Sequence, residues 1–284
     1  MRPEIIRSVE AMQETSSSLR QMGHTIGFVP TMGYLHEGHL RLVEVAREHC
    51  SKVVVSIFVN PTQFGPKEDF NRYPRDPEGD IQKLRKKDVD LVFMPEAHDM
   101  YPQGFQTVVS VKELTKGLCG ASRPGHFDGV ATVVCKLFNI VKPHIAVFGQ
   151  KDYQQLTVIS RMVKDLNMDV EIVGVPTVRE PDGLAMSSRN SYLSPEERES
   201  AKALYGAILL AQRMVREGER DVSRIIGELQ GFILRHKHTR IDYVKIVDPD
   251  HLKELKEIKG DSLLAMAVFV GSTRLIDNSI LKIS

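Results

Sequence analysis

The 284-residue sequence predicts an α/β protein with a Rossmann-like parallel sheet, flanking helices and a smaller C-terminal α+β domain. Two observations predict this class. Apolar strand-like runs alternate with helical runs up to about residue 178. Beyond the turn at 179–183, two helical patterns precede a group of strand-like runs. We therefore predict a first domain over residues 1–180, which binds nucleotide and substrate, and a small lid domain over residues 181–284.

The first predicted domain alternates two sequence periods. Buried, β-branched runs predict strands at 25–31, 52–59, 90–94, 144–148 and 170–178. Helical spacing of apolar residues predicts helices at 38–49, 77–87, 130–141 and 152–166. This order favours a parallel sheet with right-handed crossovers.

The second predicted domain begins with a strong helix signal. Ser194 supplies an N-cap oxygen, Pro195 suits the first helical position and two acids follow, so we expect a helix to about Glu217. Apolar residues predict another helix over 221–236. Short strand-like runs then follow at 241–247, 263–270 and 275–276.

Composition excludes several classes of function. With 38 basic against 37 acidic residues, nothing indicates a nucleic-acid partner. No apolar run approaches the length of a membrane span and the first residues lack a signal-like apolar region, so we expect a cytoplasmic protein without a membrane partner. Three cysteines without framework spacing fit a reducing compartment, where they would fill space as small apolar residues.

The segment His36-Glu37-Gly38-His39 follows the turn that ends the first of these predicted strands. Two imidazoles three residues apart at the start of a helix can both face a phosphate chain, because helix N-termini attract anions. The rings would donate to oxygens that gain charge as a P–O bond breaks. The motif therefore predicts a nucleotide site.

Two rival interpretations of this segment fail on residue type and spacing. Gly33 and Gly38 are spaced as in a P-loop, but His39-Leu40 stands where that motif has Lys followed by Ser or Thr. A zincin helix has histidines at i and i+4, whereas His36 and His39 are three residues apart. We therefore favour neither a P-loop nor a metallohydrolase.

Polar clusters follow four of the predicted strands. They occupy residues 31–39, 60–64, 149–152 and 186–189. Ligands of open parallel sheets bind outside the carboxyl ends of the strands, so we expect the four clusters to converge on one site.

The pairing of His-x-Gly-His with a late Met-Ser-Ser-Arg segment resembles the class I aminoacyl-tRNA synthetase and nucleotidyltransferase superfamily, whose second signature is Lys-Met-Ser-Lys-Ser. Within it, the whole chain resembles the pantothenate synthetase (pantoate–β-alanine ligase) family. The motifs that carry this resemblance, in family order, are Pro30-Thr31-Met32-Gly33-Tyr34-Leu35-His36-Glu37-Gly38-His39, Phe58-Val59-Asn60-Pro61-Thr62-Gln63-Phe64, Tyr73-Pro74-Arg75, Arg123-Pro124-Gly125-His126-Phe127, Phe148-Gly149-Gln150-Lys151-Asp152-Tyr153-Gln154-Gln155 and Met186-Ser187-Ser188-Arg189-Asn190.

The resemblance implies an AMP-forming ligase that uses ATP and Mg²⁺ to join pantoate to β-alanine through a pantoyl adenylate. Its catalytic residues would be His36, His39, Lys151 and Arg189, with His39 as proton donor. Gln63 and Gln155 would bind pantoate, Gln63 would also reach β-alanine, and Asn60 would support that pocket. The residues implied to bind ATP are Met32, Gly33, Tyr34, Leu35, His36, Glu37, Gly38, His39, Gly149, Gln150, Lys151, Asp152, Val178, Met186, Ser187, Ser188 and Arg189.

One departure from the superfamily signature concerns its two lysines, in whose place this chain has Ala185 and Arg189. Lys151 and Mg²⁺ would therefore have to neutralise more of the negative charge of the phosphates. The sequence identifies no magnesium ligands, and we interpret Asp76 and Asp80 as acids at a helix N-terminus.

Two other functions stay open. One is another His-x-Gly-His nucleotidyltransferase, which the first motif alone would equally support. The other is a non-catalytic nucleotide-binding protein, although the retained histidines and cations argue against it. The resemblance also implies a homodimer, to whose interface the strand 52–59 or the segment 107–120 would contribute.

Overall fold

A computed structural model describes residues 3–66 and 68–283 and confirms the predicted α/β class. The described chain divides into two units. Residues 1, 2, 67 and 284, which the predicted domain ranges include, lie outside the described residues. The first unit contains the chain up to Lys112, Arg123–Gln150 and Gln155–Pro176, and the second contains Glu113–Ser122, Lys151–Gln154 and the chain from Thr177 onward.

The strands of the first unit are β1 (Glu4–Ile6), β2 (Ile26–Thr31), β3 (Lys52–Ile57), β4 (Leu91–Phe93), β5 (Ile145–Gly149) and β6 (Glu171–Val175). They form a six-stranded parallel sheet in the order β1-β4-β3-β2-β5-β6. The chain runs outward from β2 to β3 and β4, then returns to the opposite side of β2 as β5 and β6. The topological switch point therefore lies at β2 and β5, where ligands of such sheets bind.

The helices are α1 (Val9–Gln21), α2 (Glu37–His49), α3 (Pro77–Lys86), α4 (Ala97–Met100), α5 (Leu118–Ser122), α6 (His126–Val141), α7 (Tyr153–Asp165), α8 (Pro195–Ala201), α9 (Ala203–Arg216) and α10 (Val222–Leu234). Helices cover both faces of the parallel sheet, because its strands are apolar on both sides. Val53 and Val55 join the apolar cluster around α2. Phe28 and Phe148 each pack edge-on against Phe138 of α6, with ring centroids 6.4 Å apart.

The ladder between β2 and β5 is short. It pairs Gly27 with Ile145 and Phe28 with Ala146, whereas β2 pairs with β3 along its whole length. Pro30 stands beyond these two pairs and has no N–H group with which to extend the ladder. Within the described chain, β2 and β5 are thus unpaired with each other at their carboxyl ends, at the switch point.

The second unit contains an antiparallel sheet in the order β7-β8-β9. Its strands are β7 (Thr239–Val247), β8 (Ser262–Val270) and β9 (Thr273–Leu281), and the last is much longer than the predicted run at 275–276. Helices α9 and α10 pack on this sheet through a buried apolar cluster. Members of that cluster include Leu204, Ile208, Ile225, Leu229, Met266 and Val268.

Several element predictions require correction. The helix predicted from Pro195 to about Glu217 is divided at Lys202 into α8 and α9. The Ser200 hydroxyl donates to the carbonyl of Glu196, 3.2 Å away, and such bonding of a side chain to the i−4 carbonyl bends helices. Helix α6 begins at His126, four residues before its predicted start.

Strand β3, which lies within one of the two segments suggested for a dimer interface, has no free edge. It lies inside the sheet, paired with β2 on one side and β4 on the other. Its four central residues, 53–56, are buried.

The three cysteines are free, and Cys50 and Cys119 are buried. Cys119 does more than fill apolar space as predicted, because its Sγ lies 3.2 Å from the hydroxyl of Tyr243 and 3.6 Å from both terminal nitrogens of Arg274. Among the described helices, none is both long and apolar enough to cross a membrane.

Candidate active site

The turn after β2 is held by a carboxylate from α3. Gly33 and Tyr34 both have positive φ, at 82° and 51°, so the chain reverses tightly before α2. Asp80 accepts hydrogen bonds from the backbone N–H groups of Tyr34 and Leu35, both at 2.7 Å. Lys83, one turn further along α3, donates to the carbonyl oxygen of Leu35 at 2.7 Å. Helix α3 therefore fixes the backbone that leads into the His-x-Gly-His segment.

Asp80 is buried, unlike an ordinary acid at a helix N-terminus. Burial raises the pKa of its carboxyl, although the two backbone N–H groups and Lys83 act in the opposite direction. Asp76, by contrast, is the N-cap of α3 and accepts from the N–H of Gly79, as we interpreted it. Our interpretation of Asp80 was incomplete, because only the folded chain brings α3 to the turn after β2.

The two histidines of the motif stack at the N-terminus of α2. Their ring centroids lie 4.0 Å apart with 33° between the planes. His36 is the N-cap residue, and its backbone N–H donates to Nδ1 of His39 at 3.3 Å. Because a backbone N–H can only donate, Nδ1 of His39 is an acceptor and a neutral ring carries its proton on Nε2. This geometry provides an oriented N–H donor at the end of a helix that attracts anions.

A second polar turn follows β3 and is centred on Asn60, which is 1% exposed. Its side-chain nitrogen donates to the Gln63 side-chain oxygen and to the Gly129 carbonyl, at 3.2 and 3.1 Å. Its side-chain oxygen accepts from the hydroxyls of Thr62 and Tyr101, at 3.0 and 2.7 Å. These contacts occupy both ends of the Asn60 amide, so its place in the structure is that of a scaffold for Gln63.

The amide of Gln63 spans the two loops. Its nitrogen lies 2.9 Å from the sulfur of Met32, in the turn after β2. The main-chain oxygen of Gln63 accepts from Nδ1 of His126 at 2.8 Å and from Arg123 at 3.2 Å. Arg123 can only donate, so Nε2 of His126, 2.9 Å from its guanidinium, is an acceptor and Nδ1 is the donor.

Arg123 is itself fixed by Glu68. Two charge-assisted bonds of 2.6 and 2.7 Å join them. Burial acts to raise the pKa of Glu68, but Arg123 and the backbone N–H of Gly65 together outweigh it and hold the pKa below its ordinary value. The motif Arg123-Pro124-Gly125-His126-Phe127 carried the family resemblance, yet sequence reasoning gave it no role.

Helix α6 approaches this turn closely at Gly129. A Cβ atom there would lie 2.4 Å from the carbonyl oxygen of Thr62 and 2.8 Å from Cα of Gln63. Only glycine permits this backbone contact. A residue of low helix propensity inside α6 therefore sets how closely the helix approaches the Gln63 turn.

In the third polar segment of the first unit, Gly149 is the last residue of β5 and Gln150 follows it. The loops after β3, β2 and β5 therefore leave adjacent strands at the same edge of the parallel sheet. The fourth predicted cluster, 186–189, belongs to the second unit, as do Lys151 and Asp152.

In the second unit, Lys151 and Asp152 lie in a short 3-10 turn before α7. Their side chains approach to 3.7 Å. The carbonyl oxygen of Lys151 accepts a hydrogen bond of 2.7 Å from the side chain of Asn278 in β9. The backbone beneath this lysine is thus fixed by a strand distant in sequence.

The Met186–Arg189 segment follows a hairpin. Arg179 forms a bridge with Ala185, and the N–H of Met186 donates to the carbonyl of Val178 at 3.0 Å. The Ser187 hydroxyl accepts from the N–H of Arg189 at 3.3 Å. Ala185, which stands in place of a signature lysine, is 3% exposed, so a lysine ammonium here would have to leave a buried position.

The two neighbouring glutamines at the start of α7 differ in their surroundings. Gln154 is buried and bonds the segment 114–119, accepting from the N–H of Cys119 and donating to the carbonyls of Leu114 and Gly117. Gln155, the predicted pantoate residue, is half-buried in the first unit.

No group of three or more His, Cys, Asp or Glu side chains arranged to hold a metal occurs in residues 3–66 and 68–283.

Comparison with known proteins matches this chain over nearly its full length. A family model described as pantoate-beta-alanine ligase covers residues 4–280. The pantothenate synthetase of Thermotoga neapolitana is 57% identical over 277 residues, which is 98% of this chain and 99% of that relative. The crystal structure of pantothenate synthetase from Thermus thermophilus has a TM-score of 0.93 at 48% identity and covers 98% of this chain and 99% of its own.

A second solved structure carries ligands. It is the pantoate-beta-alanine ligase from Francisella tularensis, described as complexed with beta-gamma ATP and beta-alanine. Its TM-score is 0.82 at 35% identity, with coverage of 98% of this chain and 97% of that chain.

Proposed function

The chain belongs to the pantoate–β-alanine ligase family, and we propose that the residues described above perform that family's reaction in the roles given below. The protein is an ATP-dependent ligase that condenses pantoate with β-alanine to give pantothenate, AMP and pyrophosphate. The stacked pair His36 and His39 at the N-terminus of α2 is the observation that carries the assignment to residues.

The reaction has two half-reactions. A carboxylate oxygen of pantoate attacks the α-phosphorus of ATP, and the bond to the bridging oxygen breaks to release pyrophosphate. The amine of β-alanine then attacks the acyl carbon of pantoyl adenylate, loses a proton and displaces AMP. Adenylation is needed because a free carboxylate would have to expel oxide, whereas AMP is a far weaker base. The protein must therefore stabilise phosphate charge and keep water from the acyl adenylate.

We assign the phosphates of ATP to the N-terminus of α2 and its two histidines. Nε2–H of His39 is the proposed donor to the oxygen that gains charge as pyrophosphate leaves, and its tautomer is set by the N–H of His36. Lys151 and Arg189 are the proposed cations for the β and γ phosphates, the first as a point charge and the second as a fork. The remaining proposed ATP contacts are those named from the sequence.

Gln63 and Gln155 are the proposed pantoate residues. An amide can donate to a carboxylate and accept from a hydroxyl without placing further charge beside the nucleophile. The main-chain bonds from Arg123 and His126 support Gln63 in this role, because they fix its backbone. Among the described residues, its side chain contacts the weak acceptor Met32 and the amide of Asn60.

Three finer features complete the proposal. Mg²⁺ would enter with ATP, since this ion keeps several waters and binds substrate phosphates with few protein ligands, which fits the lack of a preformed metal cluster in the described ranges. We propose a homodimer, for which the segment 107–120, with Val108 63% exposed, is a candidate contact. The free cysteines support a reducing, cytoplasmic location.

Isotope exchange between pyrophosphate and ATP tests the function. Exchange that depends on pantoate, needs no β-alanine and is abolished in His39→Ala is the expected result. Exchange driven instead by a phosphorylated acceptor would favour another nucleotidyltransferase. Nucleotide binding without exchange under any acceptor would overturn the catalytic assignment.

A further inference from the structure

Asp277 and Asn278 are consecutive residues of β9. Each holds one of the two segments of the second unit that carry a proposed phosphate-binding cation, Lys151 or Arg189. We propose that this pair is a common anchor that positions Lys151 and the Met186–Arg189 segment for binding the β and γ phosphates. The proposal rests on the proposed phosphate roles of Lys151 and Arg189. Both residues act through other groups, so they are positioning residues.

Asn278 anchors the first cation. Its side-chain amide donates to the main-chain oxygen of Lys151 at 2.7 Å. That carbonyl lies in a 3-10 turn, whose hydrogen bonds are weaker than those of an α-helix. An external donor at this oxygen therefore fixes the direction in which the Lys151 side chain leaves the backbone.

Asp277 anchors the second cation through Arg179. It is 2% exposed, and its two carboxylate oxygens accept from the two terminal nitrogens of Arg179 at 2.7 and 2.9 Å. Arg179 also donates to the carbonyl of Gly183 at 3.0 Å and stacks on Tyr205, with the guanidinium carbon 4.4 Å from the ring centroid. The guanidinium of Arg179 thus ties the hairpin that precedes Met186 to Asp277 and Tyr205.

The two anchors are joined to each other. The backbone N–H of Asn278 donates to the Asp277 carboxylate at 2.8 Å, so the orientation of one side chain depends on its neighbour. Strand β9 also packs against the turn Ser188–Tyr192, which begins at the second serine of the signature segment and includes Arg189. Because β9 is paired along its length with β8, the anchor belongs to a rigid element.

The first test compares nucleotides that differ in their phosphates. In Asn278→Ala, we expect the dissociation constants of ATP and of pyrophosphate to rise about fivefold to tenfold, as for loss of one positioning hydrogen bond, while that of AMP stays within twofold. AMP lacks the β and γ phosphates, so general damage to the fold would weaken all three ligands alike. Isothermal titration calorimetry on the full chain measures each constant.

Ser279→Ala is the matched control. Ser279 is the next residue of β9, and its hydroxyl contacts Gln212 at 3.0 Å and no cation-bearing segment among the described residues. We expect ATP, pyrophosphate and AMP affinities within twofold of the parent protein.

Asp277→Asn tests the contact between Asp277 and Arg179. The melting temperature of this variant must be measured, because the substitution leaves a half-buried Arg179 with a weakened partner.

A double-mutant cycle separates this proposal from the assignment of the cations. If Asn278 acts through Lys151, then Asn278→Ala has no further effect on ATP or pyrophosphate affinity in a Lys151→Ala background. If Lys151→Ala alone leaves both affinities unchanged, the proposed phosphate role of Lys151 is wrong. If Lys151→Ala weakens them but Asn278→Ala does not, or the two effects simply add, the anchor proposal fails and the function stands.

Discussion

The ring of His39 illustrates how one backbone contact can orient a side chain for the donor role that we propose for it. The N–H of His36 occupies Nδ1, so a neutral imidazole presents Nε2–H in a direction set by the helix cap. The stacked His36 ring restricts rotation of His39 on its other face. A group oriented in this way stabilises developing charge without reorganising during the reaction.

We expect His36→Ala and His39→Ala each to slow adenylate formation far more than they weaken ATP binding. The loss should be about 2 to 4 kcal/mol in barrier height, or roughly 30- to 1,000-fold in rate. Single-turnover measurement of adenylate formation at saturating ATP gives this rate. His49→Ala, at the exposed end of the same helix, is the control and should match the parent. Rates within twofold of the parent for both variants would remove the histidines from the chemical step.

Asp80 and Asp76 form a matched pair for a second prediction. Both carboxylates of α3 accept from backbone N–H groups, but only Asp80 reaches the turn before His36. Asparagine caps helices as well as aspartate, so Asp76→Asn should be neutral. In Asp80→Asn one carboxylate oxygen is replaced by a donor facing an N–H group, which should cost about 1 to 3 kcal/mol.

The expected readout of Asp80→Asn is a fall in kcat/KM for ATP of about 10- to 100-fold, while the affinity for pantoate changes little. Steady-state kinetics with each substrate varied in turn would measure this difference. An Asp80→Asn enzyme that uses ATP as well as the Asp76→Asn enzyme would show that the turn keeps its shape without the carboxylate.

Among the secondary-structure elements, β3, β4 and α2 meet at Asp90. This residue accepts from the N–H of Val53 at 2.9 Å, from Lys52 at 3.0 Å and from Arg47 at 2.5 Å. Burial raises the pKa of Asp90, but these three donors together outweigh it and the pKa lies below its ordinary value. The charged form is therefore the one that stabilises the fold.

The sign of the pH dependence follows from that lowered pKa. Stability contributed by Asp90 is present above its unfolded pKa, about 3.9, and is lost as pH falls through the lower folded value. Asp90→Asn should reduce the free energy of unfolding at pH 7 by about 1 to 3 kcal/mol. The difference between variant and parent should shrink below about pH 4. Urea unfolding at both pH values checks this, and a difference independent of pH would show that charge is not the cause.

The elements that sequence reasoning recovered are those with a strong local period. The predicted strands at 25–31 and 52–59 and helices at 38–49 and 77–87 are confirmed within two residues at each end. Strand β1 and helix α1 were missed for physical reasons. β1 has three residues at the edge of the sheet, and α1 contains a run of Thr and Ser that favours helix weakly.

The supports of the candidate site were not predictable from local pattern. From the sequence alone, Gly129 only weakens the prediction of a helix. The reason for a glycine there is the packing of α6 against the Gln63 turn. Asp80, Arg123 and Asn278 act on residues far away in sequence, at separations of 45 to 127 positions. Sequence motifs named the residues proposed to meet the ligand, and Arg123 lies in one of them, but tertiary contacts alone specify what each supporting residue holds.

For the whole molecule, the second unit draws on three separate parts of the sequence. Besides the chain from Thr177, it includes Glu113–Ser122 and Lys151–Gln154. Gln154 joins these two upstream segments to each other through three hydrogen bonds. A contiguous boundary read from composition could not include them, because only folding brings them into that unit.

We predict that ATP, or a stable adenylate analogue, protects the backbone of residues 183–191 from hydrogen exchange. The hairpin before this segment is already held by Arg179, Leu184 is buried, and the Asn190 side chain donates to Glu180 at 2.7 Å, so the largest gain should occur at Met186–Arg189. In Arg189→Ala much of this protection should be lost. Equal exchange with and without ligand would indicate a preformed phosphate loop and argue against a lid.

The hydrogen bond between Asn278 and Lys151 spans 127 residues of sequence, which separates its partners in time during translation. At about 5 to 20 residues per second, Lys151 is synthesised about 6 to 25 s before Asn278. All six strands of the parallel sheet, which ends with β6 at Val175, are complete well within that interval. A nascent chain can therefore assemble the sheet that carries His36 and His39 while the backbone of Lys151 still awaits its partner.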